Sequence, residues 1–266
     1  MNLSFPRGIT LRSYGHVHDH PSDVAADLKH RHIGGLLGAA LAAVPASLDY
    51  SSMLQVVPDQ GSTSSCVGQS LATSVYLRAK FTGCAIARPS AKAIYDVARL
   101  EDGPRTDLRD EGSRPAVAMR GMMTYGLVAE SQWPLSDDNV NVAPPLDVFV
   151  GGLAAQVSAY YRIASGPGAA TLARQALADG FFPIFAMDVD SSYERMSGQS
   201  AYDGPTGPIL GGHAQCLVGY DEHSFLVAGS WGPGFAADGF ARITDGFLER
   251  GADDLLVATT APLRLP

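Results

Sequence analysis

Cysteine is scarce in this chain. Three residues in 266 are too few for a disulfide framework, and they fit a reducing compartment or a thiol kept free for chemistry. Positive charge is also short, with 19 Lys and Arg against 27 Asp and Glu and a formal net charge of −8. Such a chain has no whole-body attraction to nucleic-acid phosphates or anionic lipid, so no nucleic-acid partner is expected. No apolar run reaches the roughly 18 residues that a membrane span needs. Repeats, low-complexity tracts and long charge blocks are absent as well. What is there is a globular composition, 46% hydrophobic and 17% charged, with length for one large domain or two modest ones.

The N-terminal stretch is unusual. Five of the seven histidines fall in it, at His16, His18, His20, His30 and His32. His16-Val17-His18-Asp19-His20 has good zinc-ligand chemistry. Its spacing matches no metal motif, however, so it reads as a solvated loop and no metal is expected. Residues 33–46 are apolar and follow Lys29-His30-Arg31-His32, which loosely imitates a secretory signal. A signal would not place its basic region after Asp19, Asp23 and Asp27. A packed segment is the better reading, with a cytoplasmic, virion-associated or effector-associated location ahead of a disulfide-stabilised extracellular one. Residues 1–43 are set apart as an extension that braces the rest or docks on a protein partner.

Periodicity divides the remainder. Val67, Leu71, Val75 and Ala79 recur at steps of four, predicting a buried helix over 67–81 closed by Gly83. Ser90 is a candidate cap for a second helix to about residue 100. Residues 115–125 and 169–179 read as a third and fourth, stopped by Gly126 and Gly180, with Met119, Met122 and Met123 as core packing. The pattern then turns extended over 181–189, 214–220, 225–228 and 240–244. Helices first and strands second predict an α+β fold in two lobes with the site between them.

Two segments carry candidate chemistry. Residues 60–66 form a Gly/Ser-rich turn that delivers Cys66 to a helix N-terminus, where unpaired N–H groups and the helix dipole favour a thiolate. The side-chain amide of Gln60 could join those N–H groups in stabilising an oxyanion. Far downstream, Gly211-Gly212-His213-Ala214 opens a strand with an imidazole suited to take the thiol proton and return it to a leaving amine. Cys84 and Cys216 read as structural, and Asp188 and Asp190 as turn carboxylates at a strand end.

These segments resemble the papain-like cysteine peptidases, in particular their compact bacterial and viral branch. Asp59-Gln60-Gly61 with Ser65-Cys66 resembles the family's nucleophile block, and residues 211–221 its Gly-Gly-His-Ala block. Gly229-Ser230-Trp231-Gly232 with Gly239-Phe240-Ala241-Arg242-Ile243 resembles its third block. The likeness spans roughly residues 44–250. It implies a papain-like two-lobed fold over 44–266, with a helical N-terminal lobe to about 165 and an antiparallel sheet or barrel beyond.

The same resemblance implies a thiol hydrolase that cleaves peptide bonds through an acyl-enzyme on Cys66, without a cofactor. His213 would be its general base and acid, and Gln60 its oxyanion donor. Gly112, Gly212 and Trp231 fall at substrate-facing positions, Gly112 as a backbone partner for peptide and Trp231 as a shield beside the imidazole.

The departures are equally specific. Gly229 stands where the family has the asparagine that orients the histidine, so backbone, water or another residue must do that work; Ser230 and Gln215 lie near in sequence. Ser64 replaces a glycine, Val67 an aromatic, and Thr63 a disulfide cysteine. They leave an alternative, an inactive papain fold used as a structural or binding module. Hydrolysis of non-protein amides is a further variant. The short extension is not expected to hold a protease latent.

Overall fold

The computed structural model describes residues 14, 15, 17, 31, 32, 37, 44–102, 108–163, 165–260 and 265. Most of the histidine cluster and of the signal-like segment lies outside them.

Helix α1, Cys66–Phe81, is buried on nearly every face, as its all-round apolar and small-residue sequence requires. Its expected core residues Val67, Leu71, Val75 and Ala79 are all buried. Gly83 adopts a left-handed φ of +75°, letting Cys84 N donate to Ala79 O at 2.9 Å and close the helix. Helix α2, Ala91–Glu101, is capped as expected by Ser90, whose hydroxyl accepts from Ala93 N at 2.9 Å. Helix α3, Pro115–Thr124, starts on a proline and buries Met119 and Met122 in the core. Helices α4, Leu146–Gly152, and α5, Ala169–Ala178, follow.

The strands are β1 (Arg31–His32), β2 (Leu48–Asp49), β3 (Val157–Arg162), β4 (Ile184–Asp190), β5 (Ala201–Tyr202), β6 (Ile209–Tyr220), β7 (Ser224–Ala228), β8 (Phe240–Thr244) and β9 (Ala252–Thr260). They form one mostly antiparallel sheet in the order β1-β3-β9-β4-β6-β7-β8-β5, with β2 also on β6. Short helices α6, Ser191–Glu194, and α7, Asp245–Gly251, grow from strand ends. Asp190 caps the first and Thr244 the second.

The α+β architecture matches the expectation, with three differences in detail. Strand β6 begins five residues earlier than the apolar pattern, so His213 lies inside the strand and not at its entry. Strand β3 joins the sheet from within the range expected for the helical lobe. Strand β9 carries no clean alternation, so the sequence pattern predicts no strand there.

Asp96 anchors the helical side. It is fully buried, as is Lys92, whose Nζ lies 2.5 Å from both of its oxygens; Arg99 reaches it at 2.6 Å and Trp133 Nε1 at 2.8 Å. Lys92 and Arg99 spend further donors on the carbonyls of Val142 and Val140, tying that loop to α2. Buried charges that pair with one another are tolerated in a core, whereas removal of one partner strands the others.

Candidate active site

The turn before α1 is held by its own side chains. Thr63 Oγ1 donates to Gln60 O at 2.7 Å and lies 2.8 Å from Ser65 Oγ. Ser64 N donates to both oxygens of Asp110, at 2.8 and 3.0 Å. Tyr95 Oη bonds the same carboxylate at 2.8 Å and accepts from Gly112 N at 3.0 Å. Asp110 and Tyr95 thus lock the turn before Cys66 to the loop bearing Gly112. Neither residue carries a sequence signal for that task.

The two sides of the molecule meet directly beside this turn. Gln60 N donates to Ser230 O at 2.8 Å, and Gly232 N to Pro58 O at 2.9 Å. The Ser230 hydroxyl donates to Gln60 Oε1, while Gln60 Nε2 donates to Thr63 O at 2.6 Å. The Gln60 amide is therefore fixed at the edge of the Cys66 turn. Cys66 Sγ accepts from Ala214 N at 3.4 Å, which brings the thiol against the strand bearing His213. The imidazole is fully buried and stacks on Trp231, with ring centroids 4.4 Å apart and planes 18° apart. Tyr193 and Phe235 pack edge-on against that indole, with ring centroids at 5.6 and 4.8 Å.

Cys66, His213, Gln60 and Trp231 are thus gathered across one seam. Gly112 lies on its other wall with a φ of +87°, a left-handed conformation that favours glycine. Gly212 pairs with Asp188 in the sheet just ahead of His213. Cys216 is fully buried in β6, Cys84 is half-buried, and all three cysteines are free thiols. Asp190 is no exposed turn carboxylate: it is buried and accepts from Ser192, Tyr193, Tyr202, Thr206 and Gly207.

The seam is covered by the chain's own N-terminal segment. Ser113 N donates to Gly15 O at 2.8 Å, and Val17 N to Ser113 O at 3.1 Å. Tyr14 meets Trp231 edge-on at 6.2 Å and donates its hydroxyl to Glu194. The fit is close enough to exclude side chains. A methyl on Gly15 would lie 1.7 Å from Ser64 O, one on Gly211 2.6 Å from Tyr14 Cβ, and one on Gly112 2.3 Å from Gly15 O. The expectation that the short extension does not hold a protease latent sits beside this placement of Tyr14, Gly15 and Val17.

The thiol is fully buried. Burial pushes the Cys66 pKa up to about 11, against the opposing pull of N–H groups from Ala214, Gly15 and Val67. A helix terminus alone would lower it. In this closed arrangement burial outweighs those donors, and the sulfur is a neutral thiol at pH 7.

The architecture is that of the papain-like cysteine proteases. Xylellain, a cysteine protease from Xylella fastidiosa, superposes with a TM-score of 0.80 at 21% identity, covering 97% of this chain and all of that one. Procathepsin L2 from the larval midgut of Tenebrio molitor does so with a TM-score of 0.70 at 22% identity over 93% of this chain and 78% of that one. A peptidase C1-like protein of Acanthamoeba polyphaga mimivirus is 25% identical over 194 residues, 68% of this chain and 62% of the viral protein. The chain thus spans less than two-thirds of that relative's length. No protein-family model matches the sequence.

Proposed function

We propose that this protein is a thiol peptidase that hydrolyses peptide bonds through an acyl-enzyme on Cys66. The observation that carries the reading is the convergence of Cys66, at the start of α1, on the β6 backbone beside an imidazole stacked on Trp231. In the reaction His213 takes the Cys66 proton as the sulfur attacks the scissile carbonyl, then protonates the leaving amine. The developing oxyanion lies at the α1 N-terminus, where the Cys66 N–H and the Gln60 amide are the donors. Water then attacks the thioester, with His213 as base, and restores the thiol. No step calls for a cofactor.

The substrate backbone would run where Gly15 and Val17 now pair with Ser113, next to Gly112. The chain as it stands is therefore a closed form, and turnover requires Tyr14, Gly15 and Val17 to leave the seam. An inactive structural module is the weaker reading, since it has no need of a nucleophile, an imidazole and an amide donor held at one seam.

Gly15→Val tests the proposal in the intact chain, because no side chain fits against Ser64 O and the segment must lift. The expected result is hydrolysis of a quenched fluorescent peptide mixture by Gly15→Val, and none by Gly15→Val/Cys66→Ala. Equal signals from the two would refute the assignment of the nucleophile.

A further inference from the structure

Among the residues over the seam, Tyr14 has a seated side chain. It is half-buried against the main core, with its ring edge-on to Trp231 at 6.2 Å and its hydroxyl donating to Glu194. It also lies against bare backbone at Gly211, where a methyl would come within 2.6 Å of Tyr14 Cβ and 2.7 Å of its Cγ. Indole, glycine backbone and carboxylate thus form a slot that matches a phenol at both its apolar body and its polar tip.

The walls of the slot are held by the rest of the fold. Sheet pairing sets Gly211 opposite Val189 in β4, and the chain then turns at Asp190 into α6, whose last residue is Glu194. The buried Asp190 carboxylate accepts from Ser192 N and Tyr193 N at the head of that turn, and from Thr206 N and Gly207 N across it. On the other wall Trp231 packs on the His213 ring and on Phe235. These contacts fix the slot without Tyr14.

The neighbours of each residue place the slot along the cleft. Gly15 N–H reaches the Cys66 sulfur and Gly15 O accepts from Ser113 N, so Gly15 lies over the nucleophile. Tyr14 lies on the imidazole's side of it, edge-on to the indole that stacks on His213. His213 returns its proton to the leaving amine, so the leaving part of a peptide sits on this side.

We infer that the Tyr14 slot is a specificity subsite: it receives a tyrosine side chain from the leaving part of a peptide, and Glu194 reads the hydroxyl. The side of the scissile bond rests on the reading of Cys66 and His213 as nucleophile and base. The selection of a phenol rests on Trp231, Gly211 and Glu194 alone. A phenylalanine would bring no donor to the carboxylate, and a lysine would bring a donor but no ring to the indole.

The test uses the full chain carrying Tyr14→Ala and Gly15→Val together, which removes the internal occupant and lifts the segment. With Cys66→Ala added, binding of N-acetyltyrosinamide and of N-acetylphenylalaninamide is followed on the Trp231 indole resonance, assigned with Trp231→Phe. The tyrosine amide is expected to bind tighter by about tenfold or more, the scale of a hydrogen bond to a charged acceptor. Glu194→Ala should bring that ratio near one, and Glu194→Gln, which retains an acceptor, should keep part of it. With Cys66 in place, a mixed peptide library should be cut preferentially ahead of tyrosine.

Equal binding of the two amides, tighter binding of N-acetyllysinamide, or a preference untouched by Glu194→Ala would overturn the inference. Cleavage with no bias toward tyrosine would overturn it as well and leave the peptidase reading intact. Glu194-dependent binding of the tyrosine amide in a protein that cuts no peptide would instead contradict the peptidase reading and leave the slot as a phenol site.

Discussion

The carbonyl oxygen of Gly15 accepts from the N–H of Ser113 at 2.8 Å, one residue beyond the glycine that lines the candidate substrate path. The chain thereby fills its own cleft with backbone pairing of the kind a peptide substrate would make. Because the contact is backbone to backbone, its strength depends on close approach, and the glycines at 15, 112 and 211 permit that approach.

Lifting this segment should change the reactivity of Cys66 in a defined direction. Burial, the largest influence, raises the thiol to about 11, so exposure to water is expected to lower it by more than loss of the Gly15 N–H raises it. Alkylation of the wild-type chain is expected to climb toward an inflection near that value. In Gly15→Val the inflection should fall by about one pH unit or more, with a rise of at least about tenfold in rate at pH 7. Stopped-flow alkylation across pH 6–11 checks both, and unchanged profiles would mean that Gly15 does not control access.

Gln60→Ala should act on turnover and not on binding. The loss of one oxyanion donor typically lowers kcat by about 10²–10³ while leaving KM near its original value. Steady-state kinetics in the Gly15→Val background separates the two. A rise in KM alone would make Gln60 a substrate contact.

Asp190 should govern acid stability. Burial raises its pKa, but donors from Ser192, Thr206, Tyr193 and Gly207 prevail and hold it well below the ordinary carboxylate range. Its folded value is thus lower than its unfolded value of about 3.9, so the stabilisation is complete above that pH and fades as pH falls below it. Asp190→Asn should lower the urea midpoint at pH 7. The gap to wild type should shrink progressively below about pH 5, as protonation removes the carboxylate's advantage. A gap independent of pH would show that the charge is not what matters.

Asp96→Ala should be among the most damaging changes outside the seam. It leaves the buried cations of Lys92 and Arg99 without their shared anion, a defect that costs about 3–5 kcal/mol. Denaturant unfolding gives the value, and a loss under about 1 kcal/mol would show that the cluster relaxes into solvent.

Much of this was legible in the sequence, for physical reasons that differ by element. Helix α1 announced itself because a fully buried helix must be apolar at each step of four, and Ser90 because a cap needs a short side-chain oxygen. Cys66 and His213 were legible as types, and their neighbours supplied the motif. What was hidden depends on long-range packing. The covering by Tyr14 and Gly15 leaves no local pattern, since glycine beside an aromatic reads as an ordinary turn. The Asp110–Tyr95 clasp joins residues that carry no periodic signal.

The central claim is that Cys66 is a nucleophile activated by His213 once the seam opens. It is tested most directly by reacting Gly15→Val with an epoxysuccinyl thiol probe and locating the adduct by mass spectrometry. Cys84 and Cys216 serve as internal references. Saturable labelling of Cys66 well ahead of both references, abolished in Gly15→Val/His213→Ala, is the expected result. Labelling of Cys66 no faster than of Cys84, or labelling indifferent to the loss of His213, would contradict it.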